Sequence, residues 1–355
     1  MTELPRPFSP HPRSVHELLF APGSRGVLIA TSRDPDAKRT FVVTPPAGTY
    51  VDGPAGPVAI KIPVTVAAAS AVTRETRMLV ALRDADLAGL EPTVPRYLET
   101  LDSDGLPALV STVVHGTPMS VAYHRWRHTT RPRLVAEDFA LAGGWLRHFQ
   151  TATAGERARI TWAAEMSGAV RERWSGHPRL EAAQVRLGAA DRQLKSYRVA
   201  RTMVHGDYWF GNLLVRDGAV TGVVDWESGS PAGCPLRDLV RFALSYCLYI
   251  DRHTRPGHQV RGHRGLKRTG FGAGIRYGLL EEGWLPDLVR LYLRTGVDAL
   301  GLPSALWYGA ALAGLGEIAA TANDDEFAGS HLDLLADLPY WPLSNDLGGP
   351  RDDDH

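Results

Sequence analysis

The chain has 355 residues, 44% of them hydrophobic and 22% charged, which is the make-up of a globular protein with one or two substantial cores and excludes a fibrous or wholly unstructured chain. Thirty-nine basic residues balance thirty-nine acidic ones, so no overall field draws the molecule to nucleic acid or a membrane, and any electrostatic recognition must be local. Two cysteines, Cys234 and Cys247, are too few for a disulfide framework or a four-cysteine zinc site.

Met1 to Ser14 are proline-rich and polar, with no apolar run of the kind a secretory signal needs. Gly26–Thr31 and Thr40–Thr44 are short apolar runs separated by the polar stretch from Ser32 to Arg39, a pairing that predicts a hairpin. Pro45 to Pro57 reads as loop, and Val58–Ile62 as a strand closed by Pro63. Met78, Leu79 and Leu82 form an apolar helical face over Thr73–Leu82, with Thr73 as the expected cap. Leu106–Val114 is the next strand.

After Pro118 the pattern turns helical. Helices are expected over Leu134–Thr153, Ile160–Trp174 and Leu180–Tyr197. Leu213–Val215 and Val220–Val224 flank the turn Arg216-Asp-Gly-Ala219 and form a second hairpin. Further helices follow over 236–250, 286–299 and 304–321. Ala299 to Gly316 carries no charged residue, but Pro303 and four glycines break it, so it reads as a turn followed by a buried helix rather than a membrane span. The layout is a small β-rich N-terminal lobe, residues 1–113, and a larger α-helical C-terminal lobe, residues 114–345. Residues 346–355, with Asp352 to Asp354, are expected to be a disordered tail.

The chemistry is concentrated in His205-Gly-Asp207, Asn212 and Asp225-Trp-Glu227. Phosphoryl transfer needs a carboxylate to accept or orient the attacking hydroxyl, and hard oxygen ligands to hold magnesium against the nucleotide phosphates. Asp207 precedes Asn212 by five residues, the spacing of the base and the metal-binding asparagine in the catalytic loop of protein kinases. Asp225 lies thirteen residues beyond Asn212, across the second hairpin, which returns the chain so that both residues can serve one metal.

These motifs resemble the aminoglycoside phosphotransferase / choline kinase family over roughly residues 20–340, most densely from 200 to 245. The resemblance implies an α+β, bilobal protein-kinase-like fold. It implies that Asp207 is catalytic, that Asn212 and Asp225 bind Mg²⁺, and that Lys61, in Val58-Ala-Ile-Lys61, contacts the nucleotide phosphates, paired with Glu75. The adenine is assigned to the backbone at Thr112 and Val114. ATP is the expected donor, with GTP open. His205 is expected to be a scaffold bonded to backbone near Asp225, Asp238 to steady the catalytic loop, and Trp209 and Phe210 to pack. Glu227 is left between a water-mediated metal contact and a cap of the following turn. One feature departs from the kinase pattern: Ser32 to Lys38 has no glycine, so either Ser32 or the segment Pro46–Gly56 is left to cover the phosphates.

Between Arg252 and Arg268 there are six cations and no acid, joined by His253, His258 and His263. This segment is either a solvated loop or a surface for an anionic acceptor, and it argues against a polycationic one. The expected function is ATP- and Mg²⁺-dependent O-phosphorylation of a small-molecule hydroxyl acceptor, anionic if the basic segment binds it, in a sugar-containing metabolite or antibiotic. The alternatives are a kinase of Ser or Thr side chains in a peptide and a nucleotide-binding pseudokinase. A cytoplasmic location is expected, with no nucleic-acid or membrane partner; the oligomeric state is not readable.

Overall fold

A computed structural model describes residues 14–31, 37–46, 49–50 and 56–339. The proposed flap residue Ser32, much of Pro46–Gly56 and the tail 346–355 lie outside the described residues. Two compact units make up the chain: residues 1–122, 148–154 and 202–233 form one, and residues 123–147, 155–201 and 234–355 the other. The expected partition at 113/114 follows chain order, whereas these units are discontinuous in sequence. No described helix is long and apolar enough to cross a membrane.

In chain order the elements begin with α1 (Val15–Phe20), β1 (Arg25–Thr31), β2 (Lys38–Thr44), β3 (Val58–Pro63), α2 (Val66–Asp84), β4 (Tyr97–Ser103), β5 (Leu106–Thr112), β6 (Thr117–Pro118) and α3 (Met119–Tyr123). They continue with α4 (Pro132–Ala152), β7 (Arg157–Arg159), α5 (Trp162–Arg173), α6 (Leu180–Leu194), β8 (Arg198–Ala200), β9 (Thr202–Val204), β10 (Leu213–Arg216), β11 (Ala219–Val223) and β12 (Ser230–Gly233). The chain ends in α7 (Leu236–Leu248), α8 (Ala273–Leu280), α9 (Trp284–Ala299), α10 (Trp307–Thr321) and α11 (Asp325–Asp337).

The first unit is built on an antiparallel sheet of order β1-β2-β3-β5-β4. Alternation along β3 divides its side chains: Val58 and Ile60 are fully buried in a cluster with Val15, Leu18, Val43 and Val110, while Lys61 points to the other face. A smaller sheet pairs β10 with β11 and β6, confirming the second hairpin. Its turn uses Asp217 and Gly218, both at positive φ (53° and 74°), the geometry that matches strand twist in a two-residue hairpin.

The structure corrects the sequence reading at six places. Helix α2 starts at Val66, not Thr73: Thr65 is its cap, the hydroxyl accepting from the Ala68 amide at 3.1 Å, and Thr73 sits mid-helix with its hydroxyl donating to the Ala69 carbonyl. The run Ala67–Ala69 hides the start because alanine favours helix without producing an apolar period. Strand β4 was not expected; it pairs with β5 through Asp104-Gly105, both at positive φ, where an Asp-Gly turn signal stands in the sequence. Strand β5 ends at Thr112 rather than Val114. Helices α1, α8 and α11 were also not expected.

In the second unit α10 is the central helix, packed by α5, α6, α7 and α11. Its glycines permit close approach: a Cβ on Gly314 would fall 2.3 Å from Val240 Cγ1, and one on Gly316 2.6 Å from Leu187 Cδ2. The one charge within this helix, Glu317, is buried and satisfied, accepting from Trp162 Nε1 at 2.7 Å and pairing with the Arg237 guanidinium at 2.5 Å. The uncharged stretch from Ala299 to Gly316 is therefore a turn and a core helix, as its glycines and Pro303 suggest.

Candidate active site

The site lies within the first unit. Strand β3 aims Lys61 away from the sheet core, and α2 brings Glu75 onto it. Lys61 Nζ is 2.7 Å from both Glu75 carboxylate oxygens and 2.6 Å from Asp225 Oδ1. Three sequence-predicted residues, drawn from a strand, a helix and a turn, thus meet at one ammonium group. Glu75 is 2% exposed, and its Oε1 also accepts from the Trp226 backbone amide at 3.4 Å.

The turn after β11 sets Asp225. Its φ of 74° is in the left-handed region, uncommon for a non-glycine residue, and points its carboxylate back at β3. Trp226 beneath it is fully buried, donates its indole N–H to the Val223 carbonyl at 2.8 Å, and packs on the His205 ring with centroids 4.5 Å apart. Glu227, next in the chain, is ion-paired with Lys38. Sequence reading missed Lys38, which opens β2 and looked like the end of a polar loop. Its partner lies 189 positions away, so no local pattern in the sequence marks it.

The His205–Asn212 loop is fixed by its own hydrogen bonds. His205 Nε2 donates to the Val224 carbonyl at 2.9 Å and Nδ1 accepts from the Asp207 amide at 3.2 Å, so the ring ties the loop to the residue before Asp225. These are the bonds of a scaffold. Gly206 has φ 78°, and a Cβ there would sit 2.1 Å from the Ser228 carbonyl oxygen, so no side chain fits between the loop and the 226–228 turn. Asn212 donates from Nδ2 to the Asp207 carbonyl at 3.0 Å and to Asp207 Oδ2 at 3.2 Å, which leaves its Oδ1 for a cation. Its own carbonyl accepts from the Val224 amide at 3.0 Å, placing Asn212 beside the strand that leads to Asp225. Tyr208 and Phe210 are buried and pack, whereas Trp209 is partly exposed and its ring lies against Gly211.

The charges are strongly coupled. The Lys61 ammonium holds the Asp225 carboxyl down, to about 2, with Lys38 adding to the effect. Burial works to lower the Lys61 pKa, but Asp225 and then Glu75 outweigh it and the net shift is upward, so the lysine stays cationic. Burial pushes the Glu75 pKa up against the pull of Lys61. Carboxylate oxygens of Glu75, Asp225 and Glu227 lie within 4.8 Å of one another. An all-oxygen donor set of this density fits a hard divalent cation such as Mg²⁺.

Thr112 and Val114 stand at and just past the end of β5. Thr112 has its amide on the Arg96 carbonyl (2.9 Å) and its hydroxyl accepting from the Arg96 amide (2.8 Å). Val114 packs against Gly222, where a Cβ would come within 3.0 Å of its Cγ2. Asp238 lies in the second unit, buried in the first turn of α7.

A sequence model of the phosphotransferase enzyme family matches residues 37–270. No curated protein matches the chain. Among solved structures, the crystal structure of aminoglycoside phosphotransferase APH(4)-Ia superposes with a TM-score of 0.54 at 11% identity, over 88% of this chain and 93% of that one. A thermostable mutant of the same enzyme in ternary complex with AMP-PNP and hygromycin B gives a TM-score of 0.53 at 12% identity, with the same coverage. At such identities the likeness is one of fold, a mixed α+β arrangement of the protein-kinase-like kind.

Proposed function

Since the chain belongs to the phosphotransferase enzyme family and is a phosphotransferase, we propose that it transfers the γ-phosphoryl group of ATP, with Mg²⁺, to a hydroxyl of a small molecule. The observation that carries this reading is the convergence of Lys61, Glu75 and Asp225 next to the hydrogen-bonded pair Asp207–Asn212.

Each side chain has a role that follows from its surroundings. Lys61, kept charged by two carboxylates, is a fixed cation for the nucleotide phosphates. Glu75 orients Lys61. Asp207 carries a carboxylate steadied by the Asn212 amide; it takes the proton of the acceptor hydroxyl or orients that hydroxyl for in-line attack. Asn212 Oδ1 and Asp225 would hold the metal, with Glu75 and Glu227 contributing negative charge around it. The metal, when bound, supplies neutralisation of the phosphate charge. Lys38, paired with Glu227, sets how much of that negative charge is free. The adenine is assigned to the backbone at Thr112 and Val114, Val114 being the more open because the Thr112 amide is already engaged. Residues 1–113 then supply most of the nucleotide-binding elements, and residues 114–345 the catalytic loop and acceptor contacts.

The test is a panel of hydroxylated compounds — neutral, cationic and anionic sugars, nucleosides and phenols — incubated with ATP or GTP and Mg²⁺ and read by mass. A gain of one phosphate on a panel member supports the reading, and the better donor settles the nucleotide. Hydrolysis or transfer that is unaffected by removing Mg²⁺ would contradict it.

A further inference from the structure

The basic segment 252–268 is a folded hairpin. The Gly257 amide bonds to the Arg268 carbonyl and the Val260 amide to the Leu266 carbonyl, each at 2.8 Å. Within it burial repeats every three residues: Val260, His263 and Leu266 are at most 4% exposed, while Arg261, Arg264 and Lys267 are exposed. The hairpin is anchored in the second unit. His263 Nε2 donates to the Thr129 carbonyl at 2.8 Å, Trp284 Nε1 donates to the Gly262 carbonyl at 2.9 Å, and Gly262 approaches Thr130 so closely that a Cβ would lie 2.7 Å from it. A solvated loop needs none of this.

Anchoring brings the hairpin against residues 124–127, four consecutive exposed positions reading His-Arg-Trp-Arg. Trp126 is 80% exposed, and the guanidinium carbons of Arg127 and Arg261 each lie 5.8 Å from its ring centroid. Arg127 adopts φ 61°, a left-handed conformation disfavoured for a branched-chain-free but bulky side chain, and so is held beside the indole at a backbone cost. His253 and His124 meet at 3.3 Å next to them. Among the described residues Arg125, Arg127, Arg252, Arg261, Arg264 and Lys267 have no carboxylate partner. Two of these guanidiniums flank one exposed indole, a placement that equal numbers of acids and bases in the chain do not by themselves produce.

We infer that this surface binds an anionic ligand, a carboxylate or phosphate carried on a planar apolar body. Guanidinium forks match both oxyanions, and the open face of Trp126 takes the ring.

The probe is phenyl phosphate, with phenol and tyramine as the neutral and cationic controls. The ¹⁵N–¹H signal of the Trp126 indole, assigned with Trp126→Phe, is followed on titration. Phenyl phosphate should shift it saturably, the affinity should fall at least tenfold between 50 mM and 500 mM salt by charge screening, and Arg127→Gln/Arg261→Gln should abolish the shift. Neither control should match it. No response to phenyl phosphate overturns the inference whether or not the protein phosphorylates anything. Tighter binding of a polyglutamate peptide than of phenyl phosphate would reassign the surface to an acidic protein partner.

Discussion

Lys61 is the residue on which the site turns, because a single ammonium group reports on three chain segments. Its bonds to Glu75 and Asp225 satisfy a lysine that would otherwise be buried without a counter-charge. Asp225→Ala removes both a partner of Lys61 and the proposed metal carboxylate. Calorimetry with a non-hydrolysable ATP analogue should then show that Mg²⁺ no longer strengthens binding; unchanged metal dependence would remove Asp225 from that role. Gly206→Ala tests the backbone instead. With φ 78° and the Ser228 carbonyl oxygen 2.1 Å from the new Cβ, the substitution should destabilise the first unit by more than about 1 kcal/mol in denaturant titration. The residues proposed to carry the chemistry stand out in the sequence by type and spacing, Asp207 five before Asn212 and Asp225 across a hairpin, and the structure brings Asp207 onto Asn212 and Asp225 onto Lys61. Lys38 was not legible, since its partnership with Glu227 spans 189 positions and leaves no local pattern.

Among the elements, legibility followed periodicity. The two hairpins and the long helices announced themselves by alternation or by a 3.6-residue apolar period. Helix α2 lost its first turns to alanines, and β4 was missed although Asp104-Gly105 marks its turn. The hairpin 257–268 has a three-residue burial period, which belongs to neither template, so only its charge was visible in the sequence. Two buried histidines give the helical unit a pH response. His263, in that hairpin, and His331, on α11, are both held down to about 4 by burial, from an ordinary value of 6.5. Folding therefore keeps them neutral where the unfolded chain would protonate them. The stability they allow is complete above about pH 6.5 and is lost as pH falls toward 4, at a cost on the order of 3 kcal/mol per histidine. The melting temperature should drop across that interval, and His331→Phe should flatten the drop; a profile flat from pH 7 to pH 4 would contradict this. On α7 and just before it, Cys247 and Cys234 have thiols pushed up to about 12 by burial. Native protein at pH 8 should resist iodoacetamide, and unfolded protein should take two labels.

For the molecule as a whole, net neutrality conceals a division of labour. The first unit gathers three carboxylates and two lysines at the proposed site for phosphates and a divalent cation. The second presents unpaired guanidiniums around one open indole. Family membership fixes the class of reaction, whereas the likeness to an aminoglycoside phosphotransferase, at 11% identity, is one of fold and brings no acceptor with it. Donor binding should also register globally: Mg²⁺ and ATP at a hundred times Kd should raise stability by about 2.7 kcal/mol.

Asp207 is the residue through which the proposed chemistry is tested most directly. Single-turnover transfer from ATP to an accepted hydroxyl compound, measured for wild type and Asp207→Asn with Mg²⁺ saturating, isolates its contribution to the chemical step. The rate should fall by about 10²–10⁴-fold, the range for a lost general base, while ATP affinity stays within severalfold. An Asp207→Asn variant that transfers at close to the wild-type rate would contradict the assignment of the His205–Asn212 loop as the centre of phosphoryl transfer.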